Sequence, residues 1–232
     1  MQWAAADENF VYGVINGGYF DMVKNESSSF ICSNSHVYHK NGINTSPASK
    51  IFPTIGTFGV LQNGTFDIEW VYSFDDNLAT YAFHKPNPCP GPEPMKGDGK
   101  YWNIKEGIGA GAILVKNRTV IQGNPEHFNV NNMVYTRHPR SGICYDGAGR
   151  LLLVAIDGRY SGSAGLTFEE FGILLQDLGC VDALNLDGGG STLLYANNYI
   201  LNHYSDSVPR PVVSAIVIRD KYKKKQNNLM AE

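Results

Sequence analysis

Gly56-Thr57-Phe58-Gly59-Val60-Leu61-Gln62-Asn63-Gly64-Thr65-Phe66-Asp67-Ile68-Glu69-Trp70-Val71-Tyr72 decides the character of this chain. Two runs of apolar, β-branched and aromatic residues flank Asn-Gly, a pair that accepts the positive φ a tight hairpin turn needs. The pattern recurs twice. Gly111 to Val115 and Thr119 to Ile121 flank Lys116-Asn117-Arg118, and Ser141 to Asp146 and Leu151 to Asp157 flank Gly147-Ala148-Gly149. The apolar runs Phe10–Ile15, Val181–Leu186 and Val212–Ile218 add further strands. One helix is well marked. Thr167 and Glu170 form a capping box, Leu166 and Phe171 a hydrophobic staple, and Gly179 a C-terminal stop. Phe168, Phe171, Leu174, Leu175 and Leu178 share its apolar face. Residues 2–9 suggest a second, shorter helix. With hairpins dominant, the expected fold is α+β, a mostly antiparallel or mixed sheet with a few covering helices and the site at strand ends.

A chain of 232 residues fits one domain at roughly 100–200 residues each. We expect it to span residues 1–220, with a polar tail at 221–232 that frays. Residues 22–54 read as a long loop with little regular structure. Residues 84–107, with prolines at 86, 88, 90, 92 and 94, read as a surface excursion. Net charge is −3, which offers no general basis for nucleic-acid binding. No stretch reaches the 18 or so apolar residues of a membrane span. The N-terminus lacks the basic and apolar regions of a signal peptide, and the dense motif at 13–21 suggests that further sequence precedes it. None of the four cysteines forms a C-x-x-C pair, which disfavours a zinc site. Cys144 and Cys180 read as buried free thiols, whereas Cys32 and Cys89, in polar stretches, could pair in an oxidising compartment. N-x-S/T sequons begin at Asn25, Asn44, Asn63 and Asn117.

Glycine is in excess, 25 of 232 residues, and its placement matters. Asn185-Leu186-Asp187-Gly188-Gly189-Gly190-Ser191-Thr192 closes an apolar run with three glycines. Asn185 and Asp187 would share one strand face, and successive N–H groups there could form an anion nest. A plain turn, with Asp187 capping its own backbone, is the simpler alternative. Thr136-Arg137-His138-Pro139-Arg140-Ser141 puts His138 and Arg140 two apart, on one side of an extended segment. Ile156-Asp157-Gly158-Arg159 and Asn16-Gly17-Gly18-Tyr19-Phe20-Asp21 also lie where apolar runs end. If those strands share a sheet, the four clusters can meet on one rim. Ser191 lacks the G-x-S-x-G elbow, and neither H-E-x-x-H nor a Walker A sequence is present.

Together, Val14–Asp21, Arg137–Gly142, Val154–Arg159 and Ala183–Ser191 resemble the phosphodiester glycosidase family, over roughly residues 10–220. The resemblance implies hydrolysis of a sugar-1-phosphodiester, with release of the sugar, N-acetylglucosamine among the candidates. A carbohydrate phosphodiester is then the substrate, in a secreted, periplasmic or cell-surface setting. Asp187 or Asp157 would attack the anomeric carbon or activate water, with His138 as a proton shuttle. Arg140, Arg159 and the backbone of Gly188, Gly189 and Gly190 would hold phosphate oxygens. Asn16 and Asn185 would bind sugar hydroxyls or an acetamido group, and Gly17, Asp21 and Ser191 would complete the substrate site. No cofactor is required, although a divalent cation could sit between Asp157 and Asp187. Hydrolysis of another polysaccharide phosphodiester, or non-catalytic binding of glycan or phosphate, are the alternatives.

Overall fold

The computed structural model describes residues 9–42, 49, 51–74, 78–88, 90–126 and 133–224. All three hairpins form within it, in two stacked sheets. The larger sheet runs in the order β5 (His36–His39), β4 (Ile31–Ser33), β10 (Ile104–Gly109), β6 (Ile55–Leu61), β7 (Phe66–Ser73), β8 (Thr80–Phe83) and β9 (Lys100–Tyr101). A five-stranded sheet runs β12 (Thr119–Val120), β11 (Ile113–Lys116), β15 (Cys180–Asn185), β13 (Arg140–Asp146) and β14 (Leu151–Ile156). A third sheet orders β17 (Tyr199–Ile200), β16 (Leu194–Ala196), β1 (Asn9–Asn16) and β18 (Ala215–Lys224). A small hairpin joins β2 (Phe20–Asp21) to β3 (Glu26–Ser27). Every strand pairing among the described residues is antiparallel.

Alternation along the strands divides the core. Ile143 and Leu184 point to one side, where they meet Phe58, Ile68, Trp70 and Ile108 of the larger sheet. Cys144 and Ala183 point to the other side, under the helix α1 (Phe168–Asp177). Gly142 lies under α1: a Cβ built there would stand 2.7 Å from the Phe171 ring. The helix has the expected capping box, with Thr167 Oγ1 accepting from Glu170 N and Glu170 Oε2 accepting from Thr167 N. Gly179 supplies the stop at φ +88°.

The α+β expectation is corrected. Among the described residues there are eighteen strands and one α-helix, so the protein is mostly β. The larger and the five-stranded sheets cover each other, and α1 covers only the outer face of the five-stranded one. Residues 2–8 of the expected first helix lie outside the described residues, and Asn9 opens β1. The "loop" 22–54 contains β3, β4 and β5, the last two turned by Asn34 and Ser35 at positive φ. The proline-rich excursion ends in β9 and then in β10, an interior strand of the larger sheet. Strand β18 runs to Lys224, into the expected tail.

The cysteine reading is also corrected. Cys144 and Cys180 form a disulfide with Cα atoms 5.8 Å apart. They lie 36 residues apart in sequence, but β13 and β15 are neighbours, and a register shift beside Asp146 and Cys180 brings the two together. Cys32 is a buried free thiol. Cys89 lies outside the described residues.

Candidate active site

The strand register gathers the clusters. Arg140 opens β13 opposite Ile156 near the end of β14, and Gly142 of β13 faces Asn185 at the end of β15. The chain leaving β15 touches the end of β1, where Asp187 N donates to Gly17 O and Asn16 Nδ2 donates to Asp187 O at 2.6 Å. A cavity of about 300 Å³ opens on this rim, lined by Met133, His138, Arg140, Arg159, Asp187, Gly188, Gly189, Gly190 and Arg210.

Asp187 is the carboxylate in that lining. Burial raises it to about pH 6 from the usual carboxylate range, while the Ser191 hydroxyl, the Gly188 N–H and the charge of Arg210 pull the other way. Gly188 N donates to Asp187 Oδ1 at 2.9 Å. Ser191 Oγ is buried and lies by the carboxylate without a well-formed hydrogen bond.

Arg140 is 1% exposed. Its Nε donates to Leu166 O, and its Nη2 to Met133 O and Thr136 O. Its guanidinium lies 4.5 Å above the Phe168 ring. Burial is the main cause of a shift down to about 10. Arg140 thus ties the approach to β13 together while lining the cavity. His138 bridges Thr136 Oγ1 at 2.8 Å and Arg159 Nη2 at 3.0 Å. Burial holds it below the usual histidine range, and the charges of Arg140 and Arg159 add to that.

The glycine run works differently from a nest. Gly188 N is taken by Asp187 and Gly189 N by Pro139 O, which leaves Gly190 N without a partner among the described residues. Close approach explains Gly189 and Gly190 better. A Cβ on Gly189 would stand 3.0 Å from Arg159 Nη2, and one on Gly190 2.2 Å from Arg210 Nη2. The missing side chains give two guanidiniums a floor to lie on.

The other expected site residues divide. Asn16 is buried and saturated: its Oδ1 accepts from Ser141 Oγ and Leu193 N, and its Nδ2 serves Asp187 O. Asn185 Nδ2 donates to Gly111 O, Leu186 O and Tyr19 Oη, with its Oδ1 buried and unpaired. Both bind the strand ends to one another. Gly17 packs against Ser214 and Ile108. Asp21 caps its own turn, accepting from Val23 N and Lys24 N. Asp157 does not line the cavity, and its Oδ1 accepts from His203 N at 2.8 Å. No second carboxylate lines the cavity, and no group of three His, Cys, Asp or Glu placed to hold a metal forms among the described residues. Asp187 among three guanidiniums, with Asp206 nearby already paired to Arg210, is a poor fit for a divalent cation.

Arg210 was not foreseen. It pairs with Asp206 at 2.8 Å and lies near Met22 Sδ. The signal was Pro209-Arg210-Pro211, a charged residue fixed between two prolines in a loop.

Three guanidiniums and the Asp187 carboxylate line a cavity at the rim of stacked β-sheets, and guanidiniums suit the oxygens of a phosphate or a carboxylate. The chain belongs to the phosphodiester glycosidase family, whose model matches residues 9–219. Its fold is similar to that of the zebrafish N-acetylglucosamine-1-phosphodiester alpha-N-acetylglucosaminidase catalytic domain, auto-inhibited by its pro-peptide. That likeness has a TM-score of 0.63 and 18% identity over 91% of this chain and 64% of that one. A Burkholderia pseudomallei K96243 protein described as exported shares the fold, with a TM-score of 0.58 and 14% identity over 90% of this chain and 66% of that one. The SPbeta prophage-derived uncharacterized protein YomE of Bacillus subtilis (strain 168) is 35% identical over 82 residues, 35% of this chain and 13% of that protein. The chain thus spans less than two thirds of the zebrafish domain and a small part of YomE. No helix of the described residues is long and apolar enough to cross a membrane.

Proposed function

We propose that this protein hydrolyses a sugar-1-phosphodiester at the C1–O bond, releasing the sugar and a phosphate monoester. The observation that carries the reading is Asp187, the carboxylate of a cavity otherwise rich in guanidinium groups. Arg159 and the cavity side of Arg140 would hold the phosphate oxygens and stabilise the departing charge, together with Arg210, whose charge Asp206 offsets in part. Asp187 would attack C1, or take a proton from the water that does. A glycosidase usually needs a second carboxylic acid to protonate the leaving oxygen. Here the leaving group is a phosphate monoester, already a weak base, so a single carboxylate suffices. This accounts for a site in which Asp157 is turned away to His203.

N-acetylglucosamine is the first sugar to try, because the name of the zebrafish enzyme specifies it. Export fits the Cys144–Cys180 disulfide, which persists in an oxidising compartment. Asp187→Asn should fold and bind an anion, yet lose about 10³-fold or more in turnover of a sugar-1-phosphodiester. Undiminished turnover would remove Asp187 from the chemistry. Tight ligand binding without turnover in the unmodified protein would favour a binding module.

A further inference from the structure

Arg159 holds an exposed charge in a demanding conformation. Its backbone has φ +60°, in the left-handed region that a residue bearing a side chain adopts only at a cost. Its guanidinium lies against Gly189. Among the described residues no carboxylate pairs with it. Its partner is His138 Nδ1, 3.0 Å from Nη2. A guanidinium has no acceptor, so Nη2–H must donate and Nδ1 must be bare. The ring proton then sits on Nε2 and points to Thr136 Oγ1 at 2.8 Å. Both ring nitrogens are committed, and the ring is neutral. The backbone of His138 is fixed as well, through reciprocal N–H to carbonyl bonds with Leu166.

We propose that His138 is the positioning residue of Arg159: its neutral ring aims the guanidinium across the cavity and leaves the positive charge for an anion. Arg137, one residue away in sequence, shows the contrast. It is clamped by the Glu170 carboxylate through Nε and Nη2, and that pair lies outside the cavity. A carboxylate fixes a guanidinium and neutralises it, whereas an imidazole acceptor fixes it without neutralising it. His138 then carries no proton in the reaction, which replaces the shuttle role read from sequence. The assignment rests on the cavity being the anion site of the proposed function.

Calorimetric titration with sulfate, a dianion of constant charge near neutral pH, tests it without turnover. His138→Ala should weaken sulfate binding about tenfold, the loss of one aimed charge-assisted hydrogen bond. His138→Asn, whose Oδ1 can replace Nδ1 as a neutral acceptor, should stay within about threefold of the unmodified protein. Arg159→Ala should lose at least as much as His138→Ala, and adding His138→Ala to it should cost nothing further. Thermal melts of each variant check that the fold is intact. Unchanged sulfate affinity in His138→Ala, additive losses in the double variant, or no rescue by Asn would overturn the assignment. Arg159→Ala binding sulfate normally would overturn it together with the anion site. If the sulfate results hold and no sugar phosphodiester is turned over, the assignment stands and the hydrolase reading falls.

Discussion

Asp187 and Glu126 are both carboxylates that burial pushes above their usual range, to about 6 and about 7. Glu126 is 1% exposed and lies between the two large sheets. Its Oε1 accepts from Trp70 Nε1 and Ile113 N, and its Oε2 from Gly56 N. Gly56 belongs to the larger sheet and Ile113 to the five-stranded one, so this carboxylate stitches them together. Asp187 has one backbone donor, from Gly188, and faces a cavity. A raised pKa therefore does not mark a reacting group by itself. Free acceptor capacity and access to a ligand make the distinction, and only Asp187 has both.

The largest expected effect lies on the Glu126 side. Glu126→Ala should cost about 3–5 kcal/mol in chemical denaturation, because it strands three buried N–H donors. Asp187→Ala should cost less than about 1 kcal/mol. Comparable losses would erase the contrast. Glu126→Gln should also destabilise, since its amide turns a donor toward an N–H. A Glu126→Gln protein that keeps its fold but loses turnover would move Glu126 into the chemistry.

Next comes pH. An acid whose folded pKa is raised holds a proton that the unfolded chain releases, so folding stability falls as pH rises from about 4 to about 6 for Asp187. Asp187→Asn should therefore melt above the unmodified protein at pH 8, by about 1–3 kcal/mol, with the gain vanishing near pH 4. Activity has the opposite sign. The ionised carboxylate is the reactive form, so kcat/KM should decline as pH falls through about 6. A gain in stability that persists at pH 4, or a rate profile flat from pH 5 to 7, would show that Asp187 does not titrate as described.

The smallest effect belongs to the floor of the site. Gly190→Ala would push on the Arg210–Asp206 pair and should raise KM severalfold with little change in melting temperature. If kcat falls instead and KM holds, Arg210 acts on the transition state rather than on binding.

Much of this was legible in the sequence, for local reasons. Asn63-Gly64, the Thr167–Glu170 box and Gly179 act within a few residues of themselves, and the structure has each of them where expected. The strand-end clusters were also readable, and β13, β14 and β15 bring three of them to one rim. Pairing across sheets was not readable. The disulfide depends on β13 lying beside β15, and the strands at 31–39 are short and polar enough to pass for loop. Asn16 and Asn185 carry the chemistry of sugar ligands, but their amide N–H groups are spent on backbone carbonyls that only the fold brings near. Glu126 drew no notice because a lone glutamate outside any motif gives no sign of burial.

The central claim is that reaction occurs at carbon and not at phosphorus, and the arginine-lined cavity makes this worth testing directly. Hydrolysis of a sugar-1-phosphodiester in ¹⁸O-labelled water, followed by mass spectrometry of both products, reads which bond breaks. We expect the label in the sugar hydroxyl at C1 and none in the phosphate monoester. Label in the phosphate would make the protein a phosphoryl-transfer hydrolase and contradict the role given to Asp187.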